Sequence, residues 1–311
     1  MAVLLFLVRI FYIIIIICSI TILIFRSLKI SILSYGKFRT SVQFATKNPI
    51  EIYIQNLTVP KRWFKHYYII GTFWTTFLIT DIIILQNRNI GYFAWFVQIF
   101  DNIEKYEPEY FKEPYTECVI GLVMLQIQTI RRMYECFFVE RPSAGATMHI
   151  GLYFLGLAFY PVTGLAIFIE GIGNLGIVNI KDKEFPIPFT NFLSWNILLA
   201  IFIFIYASYH QYVLHKNLAL LRSKDFSVSS SYFIPKGDWF DYIASAHYTA
   251  EILIYFSFVI LTKGFILTTW LVFIWTVVCL GIVAKNSEEW GKEKFGEDWP
   301  KNRWIIIPYV Y

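Results

Sequence analysis

Charge is what this chain has least of. Asp, Glu, Lys and Arg make up 16% of its 311 residues, against about 25% in ordinary soluble domains. That shortage excludes a conventional water-soluble surface. Cysteine is also sparse: Cys18, Cys118, Cys136 and Cys279 stand far apart with no CxxC pair, so they read as small core residues and imply no disulfide or metal framework. The five histidines, His66, His149, His210, His215 and His247, form neither an HExxH pair nor the HxxHH boxes of membrane di-iron enzymes. No metal site is expected. Internal repeats, low-complexity tracts and flexible interdomain linkers are missing too, which leaves one membrane domain with ordered loops.

What the chain has in abundance is apolar surface, with 57% apolar and 20% aromatic residues. One soluble core cannot hide so much, so lipid must cover a large share of it. A helix needs about 20 mostly apolar residues to cross the hydrocarbon, where non-helical backbone would go unsatisfied. Seven stretches meet that need: 3–25, 67–85, 116–130, 148–169, 192–213, 244–261 and 265–284. The third is short and the sixth carries Glu251. The first is long for a signal peptide and has no small-residue cleavage site after it, so it is expected to remain as a helix.

Lys and Arg set the orientation. The connections 26–66, 131–147 and 214–243, with the tail 285–311, hold 20 of them, whereas the opposite connections hold 6. This asymmetry also accounts for the net charge of +5, which is therefore no nucleic-acid signal. The expected fold is an all-α integral membrane bundle of about seven transmembrane helices with a cytosolic C-terminus. On that topology the sequon Asn56-Leu57-Thr58 faces the cytosol and stays unglycosylated.

Gly171-Ile172-Gly173-Asn174-Leu175-Gly176 matches the dinucleotide fingerprint GxGxxG, but that motif needs a strand before it and a βαβ unit around it. Following an apolar helix, these small residues read as a turn or a helix contact. The informative stretch is 206–251. Gln211, His215 and Arg222 lie at i, i+4 and i+11 and share one face if the fifth helix continues that far. Arg222 is either a bidentate fork for a phosphate or a snorkelling interfacial residue. A loop rich in aromatics, with Tyr232, Pro235, Gly237, Asp238 and Asp241, reads as structured. His247 and Glu251 then form an i, i+4 pair, and an acid inside an apolar span is a candidate for function, or else a structural hydrogen-bond acceptor. In the tail, Lys292, Lys294, Lys301 and Arg303 suit either lipid headgroups or an anionic ligand.

At these residues the chain resembles the steroid 5α-reductase family, and within it the polyprenol reductase branch. The likeness runs through His210-Gln211-Tyr212-Val213-Leu214-His215, Leu221-Arg222, Ile234-Pro235-x-Gly-Asp-Trp-Phe-Asp-Tyr and His247-Tyr248-x-x-Glu251. It continues in Trp299-Pro300-Lys301-x-Arg303 and Ile307-Pro308-Tyr309, and earlier in Val59-Pro60-Lys61-Arg62-Trp63-Phe64-x-His66 and Gln128-x-x-Arg131-Arg132-x-Tyr134-Glu135. The resemblance implies a multi-pass enzyme of the endoplasmic reticulum membrane that holds NADPH, with its site open to the cytosol. It assigns Gln211, His215, Arg222, Tyr232, Asp238, His247 and Glu251 to the cofactor. The implied reaction is hydride delivery to the α-isoprene double bond of a long polyprenoid lipid on the route to dolichol, with the aldehyde favoured over the alcohol because a carbonyl must accept the electrons.

Steroid-reducing members are similar in polarising their ketone with a Tyr and a Glu. Here the Tyr position holds Gln128 and the Glu position falls at His66 or Tyr67, so these three are the catalytic candidates. Ser287 and Gly291 stand where the family usually has His and Tyr. The implied layout is an N-terminal helix with a basic loop over 1–58, then a reductase domain over 59–311 whose cofactor part begins near 206. Competing readings are a steroid or enoyl-thioester reductase, a seven-helix receptor or transporter, and a prenyl methyltransferase. A substrate panel and the choice between NADPH and S-adenosylmethionine separate them.

Overall fold

A computed structural model describes residues 2–25, 48–88, 115–142, 145–172, 193–222 and 232–308. Each of the seven apolar stretches holds a helix: α1 (Ala2–Ile24), α3 (Lys65–Arg88), α4 (Tyr115–Tyr134), α5 (Ile150–Ile172), α6 (Trp195–Leu220), α7 (Ala246–Leu261) and α8 (Leu267–Phe295). A short α2 (Pro49–Asn56) precedes α3. Its start is encoded locally, since the Asn48 side chain accepts from the Ile50 amide at 3.0 Å and Pro49 needs no donor in the first turn.

Five helical segments, Val3–Ile24, Lys61–Ile84, Ile150–Gly171, Trp195–Leu220 and Leu267–Asp298, are long and apolar enough to cross a membrane. The other two fall short for different reasons. α7 has only 16 residues, and α4 carries Gln126, Gln128, Arg131 and Arg132 among its apolar side chains. Large apolar side chains such as Phe6, Phe73, Phe154 and Phe202 point outward, as expected where lipid is the solvent.

Three groups make up the bundle. α3, α4 and α5 pack on one another, α6 lies along α7, and α8 joins α7 to α1. Tyr12, fully buried, ties α1 to α5 through a 2.7 Å hydrogen bond with Thr163. Arg9, an isolated cation within α1, reaches Glu170 at 3.1 Å and Thr268 at 3.2 Å, so α1, α5 and α8 meet at an ion pair near one end. Gly171 lies against Cys118, and a Cβ there would stand 2.2 Å from the cysteine Cβ. This glycine of the GxGxxG sequence makes a helix contact; residues 173–176 lie outside the described set.

At the other end, segments that the apolar pattern left as loops are joined by backbone. Thr58–Pro60 (β1) pairs antiparallel with Thr147–His149 (β2), Thr58 opposite His149, a small ladder the all-helical expectation did not contain. The tail returns to the start of α7: Ala244 N donates to Trp304 O at 2.8 Å, Ser245 N to Ile305 O at 3.0 Å, and Arg303 Nη1 to Pro235 O at 2.9 Å. The four connections rich in Lys and Arg are thus represented at this one end. Gly291 has its reason here. Trp299 lies across it, hydrogen-bonded to Glu288 at 2.9 Å, and any Cβ at 291 would come within 2.4 Å of the indole.

Candidate active site

The site starts with the end of α4. Arg131 and Arg132 close the helix, and a π turn, Glu135–Val139, follows directly, with the Glu140 amide bonded to Glu135 O at 2.7 Å. π turns of this kind recur at functional positions. Glu135 lies three and four residues beyond the two arginines, so its carboxylate can meet both. It does: Arg131 Nη1 donates to Oε1 and Arg132 Nη1 to Oε2. The wider turn returns Glu140 to Arg132, 2.8 Å from Nη2. α6 supplies His215, with Nδ1 2.6 Å from Glu135 Oε2, and Tyr68 of α3 accepts from Arg132 Nε at 3.2 Å.

A second layer lies deeper. Arg131 Nη2 donates to Gln128 Oε1 at 2.7 Å and also to Gln211 Oε1. Both amides turn their nitrogens to one acceptor: Gln211 Nε2 donates to Glu251 Oε2, and Gln128 Nε2 lies 3.4 Å from Glu251 Oε1. Glu251 is therefore met by neutral amides, with no Lys or Arg paired to it among the described residues. The His247 ring lies one turn away, its centroid 5.7 Å from that of His215.

Glu135 is fully buried. Burial by itself would raise its carboxyl, but the hydrogen bond from His215 and the charges of Arg132, His215 and Arg131 outweigh that and hold it down at about 2. Glu140 is lowered too, burial again being outweighed, here by Arg132 and His215. A carboxylate whose pKa is depressed by folding stabilises the fold above its unfolded value, and that contribution is lost as pH falls towards the folded value. The share of the melting temperature that Glu135 contributes should hold from neutrality to about pH 4.5 and be lost between there and pH 2. Glu135→Gln should flatten this acid limb, and thermal unfolding followed against pH would show it.

Among the described residues Glu135, Glu140 and His215 could also be taken for a metal site, their donor atoms lying within 4.8 Å of one another. However, the Arg132 guanidinium bonds to both carboxylates and lies against the His215 ring, so it already supplies the positive charge a metal would bring.

The structure divides the sequence candidates into groups. Gln128, Gln211, His215, His247 and Glu251 come together between α4, α6 and α7. His66 and Tyr67 begin α3 one position from Tyr68 but have other partners: His66 Nδ1 lies 2.9 Å from the Tyr153 hydroxyl, and Tyr67 donates to Met148 Sδ at 3.2 Å. Arg222 does not share the face of Gln211 and His215, because α6 stops at Leu220 and Arg222 turns away to donate to Arg141 O. Asp238 accepts from His210 Nδ1 at 2.9 Å, and Tyr232 packs edge-on to Trp290, ring centroids 4.7 Å apart. Arg131, Arg132 and Glu135 were not among the candidates. Their signal was there: two cations, with an acid at i+3 and i+4, closing an otherwise apolar helix.

Below Glu251 the surroundings change from charged to apolar. A small apolar cavity of about 20 Å³ lies between α4, α5, α7 and α8, lined from Glu117 and Glu170 at the far end to Tyr255, one helical turn from Glu251.

Apolar helices facing lipid around a sealed polar network define a multi-pass membrane protein. The family model described as 3-oxo-5-alpha-steroid 4-dehydrogenase matches residues 176–311. Polyprenal reductase 2 of Arabidopsis thaliana is 31% identical over 292 residues, spanning 83% of this chain and 84% of its own. The polyprenal reductase of Ailuropoda melanoleuca is 31% identical over 259 residues (81% and 78%), and that of Mesocricetus auratus 29% over 270 (81% and 79%). The chain belongs to the polyprenal reductase branch of the steroid 5α-reductase family.

Proposed function

We propose that this chain reduces the carbon–carbon double bond conjugated to the aldehyde of a long polyprenoid, with NADPH as reductant, in the endoplasmic reticulum membrane. The observation that carries the reading is Glu251: a carboxylate met by two amides, standing where the polar network gives way to an apolar cavity. Its neutral partners leave it acceptor capacity for an amide donor such as the carboxamide of a nicotinamide ring.

The residues present suit the cofactor at its anionic end as well. Arg222 and Lys61 stand close enough for their charges to repel, an arrangement that a bound phosphate would relieve. Gln211, His215 and His247 would line the path between the two ends, with Tyr232 and Asp238 in the loop above. Bound NADPH would supply the hydride. The chain would orient it through Glu251, hold Glu251 through Gln128 and Gln211, and keep water from the double bond with the apolar walls of α5 and α7. Of the catalytic candidates, Gln128 is placed to act through Glu251, while His66 and Tyr67 would shape the entrance beside β2.

On this reading all seven long helices cross the membrane, with the Arg131–Glu135 end and the C-terminus in the cytosol. The excess of Lys and Arg at that end and the backbone links among its connections support this, as does α7 lying beside the full-length α6. Residues 1–58 would act as an anchor and basic loop, and 59–311 as the reductase.

The test is NADPH oxidation by purified, detergent-solubilised protein offered polyprenal, polyprenol and a 3-oxo-4-ene steroid in parallel. Turnover is expected with polyprenal and only background with the other two. Absence of both turnover and NADPH binding would overturn the proposal, and turnover of the steroid alone would move the chain to the steroid-reducing activity.

A further inference from the structure

Hydride addition to a conjugated aldehyde needs an acid at the carbonyl oxygen, and the family's tyrosine position holds Gln128, which has no acidic proton. We infer that Tyr255 supplies this acid; the assignment rests on the proposed polyprenal reduction.

Three observations converge on it. Tyr255 is 2% exposed and, although the Tyr160 phenol stands beside its hydroxyl, it makes no well-formed hydrogen bond, whereas a buried phenol ordinarily does. It lines the small apolar cavity, so its surroundings match the hydrocarbon character of a polyprenoid. It also lies four residues after Glu251 on the same face of α7, about 6 Å along the axis, which sets it beside the place assigned to the nicotinamide. The neighbouring Tyr68 hydroxyl accepts from Arg132 Nε at 3.2 Å, within the charged network, and does not line the cavity. The Tyr255 ring is fixed independently of its hydroxyl, edge-on to Phe159 at 5.5 Å and stacked on Phe258 at 6.0 Å.

In the reaction, a hydride from the dihydronicotinamide forms a C–H bond at the β carbon of the enal. The C=C π pair becomes the new bond between the α carbon and the carbonyl carbon, and the C=O π pair moves to oxygen. Tyr255 Oη–H donates to that oxygen as its charge develops. The enol then leaves the apolar walls, a proton from water adds at the α carbon as the O–H proton is lost and the C=O bond re-forms, and Tyr255 regains its proton from solvent.

Tyr255→Phe removes one oxygen whose neighbour is the Tyr160 phenol and keeps the ring contacts, so the variant is expected to fold. It should lower kcat on polyprenal by at least about 100-fold and leave the NADPH dissociation constant, read by tryptophan quenching, within about twofold. It should also weaken binding of the saturated aldehyde by about tenfold, the worth of one hydrogen bond. Wild-type kcat in the variant would overturn the assignment alone, and so would loss of NADPH binding, which would make Tyr255 part of the cofactor site. A wild-type protein inert towards polyprenal would overturn the functional reading and this assignment together.

Discussion

Replacing Glu135 by alanine should destabilise the protein by on the order of 3–5 kcal/mol, the usual cost of removing one partner from a buried charge cluster. Glu135 has no exposed surface and bonds to Arg131, Arg132 and His215. Without it, Arg132 keeps Glu140 at 2.8 Å, but Arg131 is left with only the amide oxygens of Gln128 and Gln211. A guanidinium cannot escape by losing its proton, so the cost falls on packing. At roughly 2 °C per kcal/mol for a chain of this size, the apparent melting temperature in detergent should fall by roughly 6–10 °C. Glu135→Gln keeps an acceptor but not the charge and should fall between the two. An unchanged melting temperature in Glu135→Ala would mean that water or lipid headgroups reach the arginines and that the network is not sealed.

Glu251→Ala should do the reverse, abolishing activity while leaving the fold nearly intact. Its partners are neutral amides, so its removal leaves no unpaired charge, and Gln128 and Gln211 can still hold Arg131 through their oxygens. Insertion and melting temperature should match the parent to within a few degrees. Turnover of polyprenal should drop by at least about 100-fold, the size of effect expected when a positioning contact at the reacting centre is lost, and NADPH should bind more weakly. Full activity would return Glu251 to a structural role. The two acids lie on one connected network, yet folding should depend on Glu135 and catalysis on Glu251, because only Glu135 neutralises buried cations.

The sequence by itself determined where the helices lie. Apolar length is a local property, and backbone in hydrocarbon must satisfy itself within one segment, so each of the seven apolar runs became a helix. Its limits show at the ends. The apolar run of α8 stops near residue 284, whereas the helix continues to Phe295, because hydropathy registers the lipid boundary and not the last hydrogen bond. Gln211, His215, His247 and Glu251 were legible as a group because they lie within two adjacent helices at helical spacing.

Tertiary structure alone decided which polar groups meet. That Arg131 of α4 reaches Gln211 of α6, and that His215 reaches Glu135, depends on the axial register of helices some 80 residues apart. No local pattern encodes that register. Arg222 left the shared face when α6 ended two residues before it, and Tyr255, an ordinary apolar-helix tyrosine in the sequence, became a buried hydroxyl without a well-formed hydrogen bond only once α5 and α8 closed around α7. Hydrophobic burial is additive along a chain and can be read residue by residue. A hydrogen bond needs two partners within about 3 Å, and the packing of the whole bundle sets that distance.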